Sequence, residues 1–247
     1  MTGTTLPGIR LEHLRHRLQA LGAGPAHERS VLRAWMRAQP LGEGPRRAED
    51  FLPRRLREAL PEVAAEFGAL ARLRSEHPGA DGSARLLVEL GDGQAVESVL
   101  LPRGGLCVST QAGCAVGCVF CTTGRQGLAR HLGAAEIVAQ VALARSRRAV
   151  KKVVFMGMGE PSHNLDEVMD AIELLGTLGD IGHKSLVFST VGDRRAFERL
   201  PRGPVKPALA LSLHSTIAAR RASLMPHAPR IDPEELVELG ERYARQS

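Results

Sequence analysis

The chain has 247 residues, 43% of them hydrophobic and 24% charged, with a formal net charge of +6. That is the composition of an ordinary globular protein; no apolar run reaches membrane-spanning length, and the first residues carry no signal-peptide core. The expectation is a cytoplasmic protein with reduced thiols, no disulfide framework and no membrane partner. The positive balance suits a polyanionic partner, while an aromatic content of 3% argues against base-stacking platforms as the main way of holding RNA.

From residue 11 to about residue 74 the pattern is helical. Leu11, Leu14, Leu18 and Leu21 share one face, and Gly22-Ala-Gly24-Pro25 ends that helix. Val31, Leu32, Trp35 and Met36 mark a second, stopped by Pro40 and Gly42. Residues 52–60 and 63–73 predict two more, with Pro61 at a helix start. Arginines lie opposite these stripes, and residues 1–85 hold 14 Arg, no Lys and 10 Asp or Glu. A solvated helix face and a phosphate-touching module both fit that pattern. Residues 84–90 and 94–101 are β-rich runs joined by Gly91-Asp92-Gly93, a hairpin signal.

Further along, strand-like and helix-like stretches alternate: a helix over 136–145, a strand over 152–156, a helix over 165–175 and a strand over 185–189. A helix over 194–200, a strand over 208–213 and a last helix over 233–245 complete the series. Repeated β-then-α units imply a parallel sheet with right-handed crossovers, whose working groups gather at the C-terminal strand ends. The polar clusters Gly157-Met-Gly-Glu-Pro161, Ser189-Thr-Val-Gly192 and Ser212-Leu-His214 fall there. About four such units are too few to close a barrel. The fold class is therefore α/β, a partial βα barrel preceded by a small helical domain and a β-hairpin. Residues 1–82 are read as the Arg-rich helical module, 83–106 as the hairpin linker and 107–247 as the core.

All 4 cysteines lie between 107 and 121, and three of them are spaced Cys114-x3-Cys118-x2-Cys121 in a glycine-rich run. Thiolates that close together can wrap one metal centre. Three of them on a cubane iron–sulfur cluster leave one iron without a protein ligand, a place for chemistry. The alternative is a structural zinc site with His131 or Cys107 as fourth ligand. Spacing alone leaves both open.

The cysteine run followed by a strand ending in Gly159-Glu160-Pro161 resembles the radical S-adenosylmethionine (SAM) superfamily. The segments LCVSTQAGCAVGCVFCTTGRQGLARHL, VVFMGMGEPSHNLDEVMDAI and LALSLHS resemble, more narrowly, the radical SAM adenosine methyltransferases of ribosomal RNA, the RlmN/Cfr family. The hairpin DGQAVESVLLP and the helical N-terminal module resemble that family too, so the likeness covers nearly the whole chain. It favours the cluster over zinc. It implies that Cys114, Cys118 and Cys121 hold a [4Fe–4S] cluster whose open iron chelates SAM. Gly159 and Glu160 would meet the amino acid end of SAM, and Ser189, Ser212, Leu213 and His214 would supply further SAM contacts. Cys107 matches the cysteine that helps release a covalent enzyme–RNA intermediate, and Glu97 the position assigned as proton acceptor. On residue type alone, Glu97 reads as an outward charge on an amphipathic strand.

The resemblance further implies methylation of adenine C2 or C8 in 23S rRNA, with tRNA a substrate of some members. Two SAM molecules are used, an electron donor such as flavodoxin reduces the cluster, and the enzyme is a monomer. Because those carbons are poor nucleophiles, the methyl group is first parked on a cysteine near the family's C-terminus. None of the 4 cysteines here lies beyond residue 121. The expectation is a fragment or truncated homologue that binds a cluster without methylating RNA by the family route, its last strand left as an open edge.

Overall fold

Residues 8–44 and 46–247 are described by the computed structural model. The helical module begins as its pattern predicts: α1 (Leu11–Ala20) buries Leu11, Leu14 and Leu18, and α2 (Pro25–Met36) opens on a proline and buries Val31, Leu32, Trp35 and Met36. After the short α3 (Ala48–Phe51), the expected break at Pro61 does not occur. Instead α4 (Arg54–Ala69) runs straight through it. Leu56, Val63 and Phe67 are buried on one stripe, with Leu60 partly buried beside them and Pro61 on the exposed side. That continuous apolar seam offsets the roughly 3 kcal/mol that an interior proline costs.

A second difference follows at once. The helical pattern over 63–73 stops short, and its last three residues open strand β1 (Ala71–Pro78). It pairs antiparallel with β2 (Ala84–Leu90), which pairs with β3 (Ala95–Leu101) in the predicted hairpin. The hairpin is hydrogen-bonded into the main sheet, because β3 pairs with β4 (Gly105–Val108). From β4 the order continues in parallel through β7 (Lys152–Phe155), β8 (Leu186–Thr190) and β9 (Ala208–Leu211), giving a seven-stranded sheet β1-β2-β3-β4-β7-β8-β9. A separate ribbon of β5 (Gln111–Gly113) and β6 (Leu128–His131) brackets the cysteine run, with the single turn of α5 (Thr122–Arg125) inside it.

Helix α6 (Ala134–Arg145) is buried nearly all round. It lies between the sheet and the N-terminal helices, with α7 (Leu165–Thr177) alongside. One apolar cluster runs from Leu11 through this helix to Tyr243, so the N-terminal module and the βα units share a core. At the far edge, α8 (Arg194–Arg199) and α10 (Pro233–Gln246) pack on β9, and α9 (Ala218–Leu224) lies between β9 and α10 in the chain. Among the described residues no helix is long and apolar enough to cross a membrane.

Candidate functional site: a cysteine loop at the strand ends

Strand alternation decides which side chains face the site. In β4 and β7 the buried residues Leu106, Val108, Val153 and Phe155 join the main core, so Cys107 and Val154 point the other way. Cys107 pairs with Val99 on one side and Val154 on the other, and Val154 pairs with Val187. Directly paired residues share a face, and residues two apart on a strand share it as well. Glu97, Cys107, Met156 and Ser189 therefore line one side of the sheet, with Ser212 beyond the end of β9. Ser189 Oγ and Ser212 Oγ are 3.5 Å apart there.

Cys107 sits on β4, upstream of the loop that holds the other three cysteines. Burial pushes its thiol up to about 11, against the opposing effect of the Met156 backbone. Glu97 is half-exposed, and its carboxylate accepts from Arg85 at 2.8 Å.

The cysteine loop is pinned at its ends and along its length. The Cys114 amide donates to Gly127 O (2.9 Å), Val119 N to Leu224 O (3.0 Å) and His227 N to Val116 O (3.2 Å). Gly113 has φ +82°, and a Cβ there would come within 2.0 Å of Gly127 O, so only glycine lets the ribbon close. The ring of Phe120, between Cys118 and Cys121, lies 4.7 Å from that of His214, which brings the Ser212-Leu-His214 run against the loop. Leu213 packs instead with the cluster around Phe197, Ile231 and Leu236.

The Gly157–Pro161 turn meets the same loop. Glu160 is buried, and its carboxylate accepts from Thr190 Oγ1 (2.6 Å), Val191 N (3.0 Å) and Ser162 N (3.1 Å). A carboxylate offers about four acceptor positions, which leaves one free. Gly159 has φ +102°, and a Cβ there would fall 2.6 Å from Gln111 Cβ. Gln111 in turn accepts from the Glu160 amide (2.8 Å) and bonds His131 Nδ1 (2.9 Å).

Several contributors carry no signal in sequence. Gln140, fully buried on α6, accepts from Ser109 N (2.9 Å) and Ser98 Oγ (2.8 Å) and donates to Ser109 O (2.9 Å), extending β4 with a side-chain amide. Ser109 Oγ then donates to Glu97 O (2.5 Å) and accepts from Met158 N (2.8 Å). Thr110, Ser162, Thr190 and Arg221 join the site through burial. Only Thr190, inside the Ser189–Gly192 cluster, could have been found from the sequence.

Residues 108–245 match the family model described as the Radical SAM superfamily, and the chain belongs to that superfamily. A probable RNA methyltransferase of Aromatoleum aromaticum is 71% identical over 237 residues, covering 96% of this chain and 67% of that protein. Another, from Pseudomonas aeruginosa, is 67% identical over 240 residues, covering 96% of this chain and 69% of the relative. The crystal structure of a radical SAM methyltransferase from Sphaerobacter thermophilus matches with a TM-score of 0.76 at 32% identity, covering 96% of this chain and 72% of that one. Within the superfamily the chain is a SAM-dependent methyltransferase, and membership implies SAM and a [4Fe–4S] cluster.

The residues present fit those groups. All four cysteines are free thiols. Burial pushes the Cys114 and Cys118 thiols up, Cys118 to about 11, and other thiolates of the loop and Glu160 raise both further. At neutral pH, acids that oppose one another's ionisation give up their protons together when a cation takes the protons' place. Among the described residues no three Cys, His, Asp or Glu side chains converge on a single ion; on a cubane each thiolate would bind a different iron. The buried polar atoms without partners include Thr110 Oγ1, Ser162 Oγ and Arg221 Nε, in segments that frame the cysteine loop.

A second feature lies elsewhere. A groove of about 1100 Å³ in the N-terminal module is lined by Arg29, Arg33, Arg37, Arg46, Arg47 and Phe51, among others. Arg46 stacks over the Phe51 ring at 5.4 Å. Arg37 pairs with Asp180, in the turn leading into β8, so the groove lies toward the end of the sheet away from the cysteine loop.

Proposed function

We propose that this chain holds a [4Fe–4S] cluster through Cys114, Cys118 and Cys121 and SAM beside it, and serves the methylation of an adenine in RNA. The observation that carries the reading is the meeting of the cysteine loop, the Gly157–Pro161 turn and the Ser212–His214 run around unpartnered buried polar atoms. When bound, the cluster supplies the electron for SAM cleavage. Glu160 has one acceptor position left for the SAM ammonium, Gly159 keeps the backbone open to it, and Ser189, Ser212 and His214 border the same space. Cys107, kept protonated at neutral pH by burial, stands at the position of the release thiol. The disulfide of that step would need a methyl-carrying cysteine that none of the 4 cysteines here supplies. Glu97, next to Arg85, stands at the position of the proton acceptor. The names of the relatives support RNA as substrate, and the family resemblance supports C2 or C8 of a 23S rRNA adenine, unstacked to enter the site. The Arg-lined groove would grip RNA phosphates on the other side of the molecule.

Anaerobic reconstitution with iron and sulfide, followed by dithionite and SAM, tests the core of this reading. Iron and sulfide uptake and 5′-deoxyadenosine release are expected from the wild-type chain. Cys114→Ala, Cys118→Ala and Cys121→Ala should each lose the cluster, and Cys107→Ala should keep it. Equal loss in Cys107→Ala would mean an all-cysteine cluster with no open iron and would refute the assignment. For RNA, binding of a 23S rRNA fragment and of tRNA should fall steeply with salt. The Arg29→Gln/Arg33→Gln double variant should flatten the log–log salt slope by about 1 per lost phosphate contact. An unchanged slope would leave the groove without a role.

A further inference from the structure

Arg221, on α9, is 4% exposed. One Nη donates to the carbonyl of Val191, and Nε is buried without any partner. Burial pushes its guanidinium down. Among the described residues no Asp or Glu pairs with it, and residues 1–7 and 45 contain neither. A buried cation without a counter-charge is among the most costly groups a protein can hold.

Its surroundings say where the missing charge belongs. Cys114, Val116, Val191, Met225 and Ala228 form a small apolar cluster, with Cys118 and Leu224 packed on it. The bonds from Val119 to Leu224 and from His227 to Val116 fasten α9 and the segment after it to the cysteine loop on both sides of Cys118. Val191 ties in the remaining piece, since its amide donates to Glu160 and its carbonyl accepts from Arg221. The guanidinium is thus fixed beside the cysteine loop, in the wall of a groove of about 320 Å³ that Asp232 and Arg230 also line without bonding it.

We infer that Arg221 is the built-in counter-charge of the anionic centre held by Cys114, Cys118 and Cys121, and that it sets the reduction potential of that centre. The inference rests on the cluster reading above. Three thiolates outweigh the charge of an oxidised [4Fe–4S] core, and each added electron makes the site more negative. A fixed cation in low dielectric stabilises the reduced form most, so it raises the potential. Without the cluster the same cation is uncompensated and lowers the stability of the apo chain.

Both halves are measurable on the chain with and without iron and sulfide. Arg221→Gln keeps an N–H for Val191 and removes the charge, and Arg221→Lys keeps the charge. In an EPR-monitored redox titration without SAM, the Gln variant should load iron to the wild-type level and titrate at a more negative potential. The Lys variant should recover most of that shift. As apo protein the Gln variant should melt above the wild type, and it should gain less on loading. A Gln variant at the wild-type potential, or a Lys variant displaced as far as Gln, overturns the inference. So does a Gln variant that fails to load or fold, or melts below the wild type as apo protein, because Arg221 would then be scaffold. A wild-type chain that takes up no iron at all instead sinks the function proposed above, a result plainly different from a loaded wild type with an unmoved variant.

Discussion

The two flanks of the cysteine loop treat buried polar groups in opposite ways. On the α6 side the groups that flank the loop are matched, Glu12 Oε2 on α1 being the one buried side-chain atom there without a hydrogen bond among the described residues. Arg130 and Glu136, both nearly fully buried, bond through two N–H···O contacts of 2.8 and 2.9 Å, and Arg130 also reaches Asp92 at the hairpin tip (2.7 Å). Gln140 spends its amide on Ser109, Ser98 and Glu136 O. On the side facing the Gly157–Pro161 turn and α9, Thr110 Oγ1, Ser162 Oγ and Arg221 Nε are just as buried and bond nothing. Folding alone selects for the first arrangement. The second persists where a ligand completes it, so the contrast separates the scaffold from the working face.

The largest expected effect comes from opening the matched side. Arg130→Met would leave Glu136 as an unpaired buried carboxylate and cut the hairpin tip loose. Losing one partner of a buried pair costs about 3–5 kcal/mol. Urea unfolding should show a loss of that size, together with a mobile 91–93 turn in hydrogen exchange. A loss below about 1 kcal/mol would mean that water reaches Glu136 and that the side is not sealed.

A smaller effect is expected at Gln140. Gln140→Leu keeps the volume and strands the Ser109 amide and carbonyl in an apolar setting, at a cost of about 1–3 kcal/mol. It should weaken SAM binding as well, because Ser109 Oγ holds both Met158 N and Glu97 O. Stability lost with SAM affinity intact would show that Ser109 does not transmit order to the Gly157–Pro161 turn.

What could be read from the sequence divides along the same contrast. The strands at β7, β8 and β9 were legible because each carries a short, continuous apolar run, though only β8 is buried along its whole length. The loop Cys114–Cys121 was legible because thiolate chemistry needs that spacing. β1 was not: its residues ARLRSEHP are polar, and Leu70 and Leu73 fit a helical stripe, so the free edge of β2 decided the matter. α4 hid its continuity behind Pro61, where a seam from Leu56 to Phe67 overrode a local rule. α9 has no apolar period to announce it. Arg221 stands beside Arg220 in the sequence, and nothing in that pair tells the buried cation from the exposed one. Whether a polar group has a partner is a property of packing, which only the folded chain reveals.

The smallest stability effect should fall on the unmatched side, and it carries the most information. Ser162→Ala removes a buried hydroxyl that bonds nothing, while the Ser162 amide keeps its contact with Glu160 Oε1 (3.1 Å). No hydrogen bond is lost in the apo chain, and a desolvated polar group disappears, so stability should stay within about 0.5 kcal/mol of the wild type or rise. The binding of SAM to the reconstituted protein should fall about 10-fold, the worth of one good hydrogen bond. Thr110→Val makes the same exchange with nearly unchanged shape and should behave alike. The pairing of the two readouts matters more than either value. A scaffold residue loses stability and affinity together, as expected for Gln140→Leu, whereas a residue held ready for a ligand loses affinity alone. Should Ser162→Ala destabilise the apo chain by more than 1 kcal/mol, its hydroxyl already has a partner in the fold, and the contrast between the two flanks would fail there.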